Sequence, residues 1–427
     1  MQTQRPAKKV FKKPIIVQIK PDNMDTKDIS INIDSANTAL KKTLAEYTTL
    51  LNKHKDKLGL YTSCRNYNAI SSAVDLYRPM RFELMNGYNA QLVTNAWMKY
   101  YELYCRYDVA KLPKSKSPLR AFCNAELPGA SICALNHYCV TNRLNLDWRA
   151  SSYVSATTGV SQSDVLGDKY GLWEKNRDHW LMTADKHGNN GDATVAANLL
   201  DWEARIGPNS KFGGVHLYSH DAGIDVTTGN KYGDQEILNA KIHLGCAIAG
   251  FLTLVPGGTF IAKQYTFFAP ITYSLMYLYS LLFDNFYIDK PVTSRPYNSE
   301  IYLVGVGFRG LPKHVRGMLF DKLTNFTLDA ICNIPISDQI LTAAKMFMKS
   351  QIDFLDEYSD QLKKYSNDSN TAGLFAWTGP ASKTVVAAWL KKYHITRLMD
   401  SDHLPATSRN RESKYQTSNY QKPRHFK

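Results

Sequence analysis

Six short apolar runs, near residues 119–124, 147–153, 215–220, 258–263, 285–290 and 301–306, alternate with stretches of helical periodicity, one of them from Gln235 to Leu254. Strands that read as nearly continuous apolar segments, each a helix's length from the next, need cover on both faces. A mostly parallel sheet with helices on either side supplies that cover. The alternation therefore predicts a doubly wound α/β sheet. Three runs carry a charged residue at one end: Asp221 in HDAGID, Lys263 in TFIAKQY and Glu300 in KPVTSRPYNSEIYLV, separated by 42 and 37 residues. Each run reads as a buried strand followed by a turn. A charged group at a strand's carboxyl edge faces the crevice where open α/β sheets bind ligands.

Such a trio has a chemistry. A lysine in partly desolvated surroundings stabilises the alkoxide that develops when a nearby hydroxyl loses its proton, provided a carboxylate fixes the lysine. Asp221 is the candidate to hold Lys263, and Glu300 the candidate to orient the hydroxyl or a second cation. Charged residues at strand ends also serve simply to solvate an edge, and spacing alone leaves both readings open.

From Gly214 to Gly307 the segments GVHLYSHDAGIDV, EILNAKIHLGCAIAGFLTLVPGGTFIAK and FDNFYIDKPVTSRPYNSEIYLVGVGF resemble, in order, the second half of the FtsJ-like ribose 2'-O-methyltransferases. The viral and eukaryotic cap methyltransferases are similar over KPVTSRPYNSE, and the whole chain resembles the FtsJ-like proteins of large cytoplasmic DNA viruses. The resemblance implies a Rossmann-like methyltransferase sheet and a Lys-Asp-Lys-Glu tetrad. Its last three members fall on Asp221, Lys263 and Glu300, and its first on Lys99 within NAQLVTNAWMKYYELY. Read from its helical spacing alone, Lys99 equally suits a side chain that borders an apolar face and reaches out to water.

The resemblance also implies S-adenosyl-L-methionine as cofactor, and here the chain departs from the family pattern. Where the family carries an aspartate at the end of the first strand and then Pro-Gly-Gly, this sequence reads Cys123-Asn124-Ala125-Glu126-Leu127-Pro128-Gly129-Ala130. Glycine permits close approach of backbone to ligand, so Ala130 and Leu127 narrow the loop. Asn124, Glu126, Pro128 and Gly129 are the candidate donor-loop residues, with Glu126 standing in for the aspartate. The alternative is a loop that only closes the turn. Asp147, opening DWRASSYV, is the candidate beside the donor's ribose. Asp192, in NNGDATVAAN, is the candidate beside its adenine, although such Asx-Gly clusters also make ordinary turns. Asp221 is expected to contact the donor as well.

The net charge is +14, and ten of those units lie in residues 1–14 and 409–427. Basic, apolar-poor tails attract a polyanion and resist ordering, which makes RNA, including capped mRNA, the expected partner. The expected organisation is a basic disordered arm over 1–28, a helical extension over 29–84 and the methyltransferase region over 85–312. A helical C-terminal region over 313–402 and a basic disordered tail over 403–427 complete it. In the C-terminal region, Ser337 caps one helix, and a second runs from about Ala381 to Leu398.

Seven cysteines without paired spacing point to a reducing compartment, hence a cytoplasmic location. Cys133, His137 and Cys139 read as core thiols and a helix histidine rather than metal ligands. The uncharged run Phe267–Phe283 reads as a buried helix opened by Pro270 and not as a membrane span, being short and interrupted. The function expected is transfer of a methyl group to an RNA ribose. Its rival is a catalytically inactive protein of the same fold that binds RNA or packs in a virion.

Overall fold

The computed structural model describes residues 14–20, 29, 38–113, 117–154, 167–183, 188–224, 233–333, 338–366 and 372–407; Ser337 and most of both basic tails lie outside them. Among the described residues, seven strands form one sheet: β1 (Ile15–Ile19), β2 (Leu119–Asn124), β3 (Leu146–Ala150), β4 (Val215–His220), β5 (Leu254–Gln264), β6 (Phe283–Lys290) and β7 (Ile301–Phe308). Their spatial order is β1-β6-β7-β5-β4-β2-β3. β2 pairs in parallel with β3 and β4, and β4 with β5. β7 runs antiparallel to both β5 and β6, and β1 antiparallel to β6. Five strands therefore point one way and two the other: the expected parallel core, β3-β2-β4-β5, is joined by an antiparallel wing of β7, β6 and β1 that the apolar runs did not indicate.

The helices of eight residues or more are α1 (Thr38–Gly59), α2 (Tyr67–Val74), α3 (Met80–Gly87), α4 (Asn95–Arg106), α5 (Ala130–Thr141), α6 (Ala196–Ile206), α7 (Gln235–Thr253), α8 (Pro270–Leu282), α9 (Lys313–Thr324), α10 (Asp338–Tyr365) and α11 (Ala372–Tyr393). Strand side chains alternate between two cores, as a period of two requires. Phe122, Tyr218, Phe260 and Leu303 pack with residues of α1, α6, α7, α8, α9 and α10. Ala121, Cys123, Leu217, Ile261, Tyr302 and Val304 pack with residues of α4, α5 and α11 on the opposite face. Each large side chain buried this way, Phe260 for example, contributes roughly 1.5–3 kcal/mol. The α7 helix lies close on the sheet because it carries Gly250, where a Cβ would stand 2.1 Å from Phe260.

Pro270 opens α8 at its first turn, and the helix is buried over nearly its whole length. Among the described residues, no helix is long and apolar enough to cross a membrane.

One expectation changes. The first 28 residues are not a featureless arm, because Ile15–Ile19 adds an edge strand whose residues pair from Ile15 with Lys290 to Ile19 with Phe286. Ile19 is buried while Ile16 and Gln18 face out, an alternation that the flanking cations conceal when charge is read over the whole segment. The C-terminal helices, whose docking the residues left open, pack into both cores. Val315 and Leu319 of α9 and Ile340, Ala344 and Leu355 of α10 belong to one core, while Val386 and Trp389 of α11 belong to the other.

Candidate active site

The chain leaves β2 to pair β3 on one side and β4 on the other. The strand order therefore reverses between β2 and β4, and the crevice opens beyond their carboxyl ends. β5 ends at the same edge. β7 starts there because it runs antiparallel, so Glu300 arrives from the beginning of a strand. Lys99 comes from α4, whose first turn is capped by Thr94 accepting a hydrogen bond from the Trp97 amide.

These elements bring Lys99, Asp221, Lys263 and Glu300 together as two pairs. Lys99 Nζ donates to both oxygens of Glu300 at 2.7 Å, and both side chains are nearly buried. Lys263 Nζ donates to the Asp221 backbone carbonyl at 2.7 Å and lies 3.3 Å from Asp221 Oδ1. That Oδ1 is off the hydrogen-bond direction, is buried, and accepts no hydrogen bond. Ser294 Oγ donates to Glu300 Oε1 at 2.8 Å.

The pairs interact electrostatically. Burial alone would raise the Glu300 carboxyl, but the ammonium groups of Lys99 and Lys263 outweigh it and hold the carboxyl at about 2. Burial alone would lower Lys263, yet Asp221, Tyr265 and Glu300 keep its ammonium well above the ordinary lysine value. Behind it, burial pushes His220 well below its usual range and His243 to about 4, so neither ring adds a competing charge.

The β2 loop abuts this cluster. The Asp221 amide donates to the Asn124 carbonyl at 3.3 Å. Asn124 Nδ2 donates to Tyr218 Oη at 3.1 Å. The Leu127–Pro128 peptide is cis, and Gly129 stands at the N-cap of α5 with φ +103°, a conformation only glycine adopts readily. Glu126 is 4% exposed and accepts the Ser131 amide at 2.7 Å, with its second oxygen against Ser131 Oγ. Burial and the nearby Asp221 raise its carboxyl to about 8.

The sequence matches the description FtsJ-like methyltransferase over residues 147–308. A probable methyltransferase of African swine fever virus is 36% identical over 301 residues, covering 67% of this chain and 68% of that protein. The chain belongs to the FtsJ-like methyltransferase family. The mouse protein named cap-specific mRNA (nucleoside-2'-O-)-methyltransferase 2 is 30% identical over 244 residues, covering 56% of this chain and 30% of that protein. A solved ribosomal RNA methyltransferase of Plasmodium falciparum, 17% identical, covers 51% of this chain and 99% of its own with a TM-score of 0.34.

Of the remaining candidate residues in this methyltransferase, Asp192 lies near the crevice and Asp147 does not. Asp192 Oδ1 accepts from the Thr194 amide and hydroxyl, both at 2.8 Å. Its loop packs on the exit of β3, since a Cβ on Gly191 would meet the Ser152 carbonyl at 1.9 Å. Asp147 is a correction: it pairs in register with Arg120 near the start of β3, at the end of the strand opposite the crevice. There it holds Arg149 Nη1 at 2.6 Å. The apolar run was read correctly as a strand, but its acidic residue precedes the strand's carboxyl end by several positions.

Cys133, His137 and Cys139 are buried in α5, and His137 Nε2 donates to the Thr396 carbonyl at 2.8 Å.

The sequence reading missed three contributors. Tyr100 Oη donates to the His220 carbonyl at 2.6 Å and so fixes the backbone next to Asp221. Ser294 orients Glu300 from within the very segment that carried the resemblance. Ser151 Oγ, just beyond β3, is buried without a hydrogen bond. All three hydroxyls lie in segments already singled out, Tyr100 in NAQLVTNAWMKYYELY, Ser151 in DWRASSYV and Ser294 in KPVTSRPYNSE.

Proposed function

We propose that this methyltransferase transfers a methyl group from S-adenosylmethionine to a ribose 2'-hydroxyl of RNA, next to a 5' cap. The observation that most supports it is the double pair, Lys99 with Glu300 and Lys263 with Asp221, beside the loop that carries Pro128 and Gly129. The likeness to a cap-specific protein and the concentration of basic charge in the two tails support RNA as the acceptor.

The residues at the crevice fit the donor. Asp221 Oδ1 and Ser151 Oγ are buried polar atoms without hydrogen bonds, suited to an amino group and a ribose hydroxyl. Asn124, Glu126, Pro128, Gly129 and Asp192 would complete its cradle. The bound donor supplies an electrophilic methyl on a sulfonium. Lys263, held protonated, stabilises the acceptor oxygen while the hydroxyl proton passes to bulk water, so it acts as a fixed cation and not as a base. Asp221 positions Lys263, and Lys99 and Glu300 align the hydroxyl. Because the pairs are already formed, placement contributes alongside the field.

The test uses purified protein, methyl-labelled S-adenosylmethionine and matched capped and uncapped RNA. Transfer to the capped RNA should fall at least about 100-fold in Lys263→Ala, with donor binding retained. Equal transfer to uncapped RNA would move the acceptor to internal ribose.

One observation favours the second reading, an RNA-binding protein without catalysis: both Glu126 oxygens are already engaged by Ser131. Retained RNA binding without saturable donor binding would support it.

A further inference from the structure

Lys99, Glu102 and Arg106 follow the spacing i, i+3, i+7 on α4 and therefore share one face. All three grip the same stretch of chain, the end of β6 and the connection that delivers Glu300. Lys99 holds Glu300 itself. Glu102 accepts the Val292 amide at 3.1 Å, the Thr293 amide at 3.3 Å and the Thr293 hydroxyl at 2.9 Å. Arg106 bridges Glu102 and Asp289, the last residue but one of β6. Tyr107 Oη adds a hydrogen bond to Asp289 at 2.8 Å, and Arg106 Nη2 reaches Tyr393 Oη of α11 at 3.3 Å.

Glu102 and Asp289 are fully buried, and Arg106 is nearly so. An internal arrangement of three charges costs desolvation that well-packed apolar side chains would not incur, so stability alone does not account for it. What it does supply is register. A one-turn slip or tilt of α4 against the β6–β7 connection would break every one of these contacts, and with them the alignment of Lys99 on Glu300.

We infer that Glu102 and Arg106 are positioning residues that clamp α4 to the Asp289–Thr293 segment and thereby set the Lys99–Glu300 geometry. Glu102 touches neither member of that pair and acts through the loop backbone and through its own helix. The kinetic consequence rests on the methyl transfer proposed above, while the geometric one does not.

The experiment therefore has two readouts. Glu102→Gln keeps the shape and removes the charge. Thr293→Val removes one donor and leaves α4 untouched, so it remains informative if the first variant folds poorly. The full-length wild type and both variants are dimethylated with formaldehyde and borohydride, and each lysine is followed by peptide mass spectrometry. Lys99 should react about tenfold faster in Glu102→Gln and several-fold faster in Thr293→Val, while Lys263, held separately by Asp221, keeps its wild-type rate. On capped RNA, kcat should fall about tenfold or more in Glu102→Gln with the KM for S-adenosylmethionine unchanged, because misplacement by a fraction of an ångström already costs rate.

Folded variants whose Lys99 reacts at the wild-type rate would overturn the inference, whether or not the wild type methylates RNA. A wild type that transfers no methyl group to any RNA would sink the proposed reaction and leave the labelling result to judge the clamp.

Discussion

Glu126 makes the stability of this protein pH-dependent in an unusual direction. Its carboxyl is buried, faces the charge of Asp221, and is raised from 4.5 to about 8 despite the hydrogen bonds from Ser131. The native state therefore binds its proton more tightly than the unfolded chain does. Stability from this group falls as pH rises from the unfolded value through the folded one, the reverse of a salt-bridged acid. Between pH 5 and 7 the loss is about 2–3 kcal/mol. Glu126→Gln keeps the shape: its oxygen still accepts the Ser131 amide, its NH2 donates to the Ser131 hydroxyl, and nothing titrates. Urea unfolding of both proteins at pH 5, 6, 7 and 8 isolates the effect, because other groups cancel in the difference. The variant should gain on the wild type by about 2–3 kcal/mol from pH 5 to 7, and the gap should level off above pH 8. Parallel profiles across that range would show that Glu126 titrates normally and that the loop is solvated.

Glu300 titrates the other way. Its folded carboxyl sits at about 2, so the stability it contributes is present above the ordinary 4.5 and is lost as pH falls from there toward 2; Lys99→Met should shrink that acid-side loss in equilibrium unfolding. Gly250→Val places new atoms into Phe260, and the resulting strain should lower stability by about 1–3 kcal/mol, read as a reduced urea midpoint with unchanged m. Removing residues 409–427, which carry six cations and one acid, should weaken RNA binding and flatten the dependence of log affinity on log salt, with methyl transfer at saturating RNA unchanged.

Most of the sheet was legible because its strands are buried on both sides and announce themselves as apolar runs: β2 and β4 fall on the expected residues, and α7 ends one residue from its expected limit. β1 was not, since an edge strand needs only one covered face and its five residues sit among lysines. The tetrad residues converge because each belongs to a segment whose end is fixed by sheet topology, or, for Lys99, by a helix whose neighbours Trp97, Met98 and Tyr100 are fully buried. Asp147 illustrates the limit. It opens its run, so it enters β3 at the end away from the crevice, and only residues past the strand's last position, such as Ser151, reach the crevice edge.

What fixes the crevice loops was not legible, for a common physical reason. Three of the crevice segments are held by a buried acid supplied from a distance in sequence or from its own turn, and backbone amides leave no trace in a motif. Glu126 takes the Ser131 amide in the β2 loop. Glu236 of α7 takes the Phe268 and Ala269 amides at 3.0 and 2.7 Å and the Thr266 hydroxyl at 2.8 Å, fixing the segment after Lys263. Glu102 of α4 takes Val292 and Thr293 before Glu300. An irregular loop must satisfy its amides somewhere, and here buried carboxyl oxygens accept them. Three segments at the crevice are thus fixed by three buried acids that do not belong to the tetrad. The precision of the tetrad is a property of these acids as much as of the strands that deliver it.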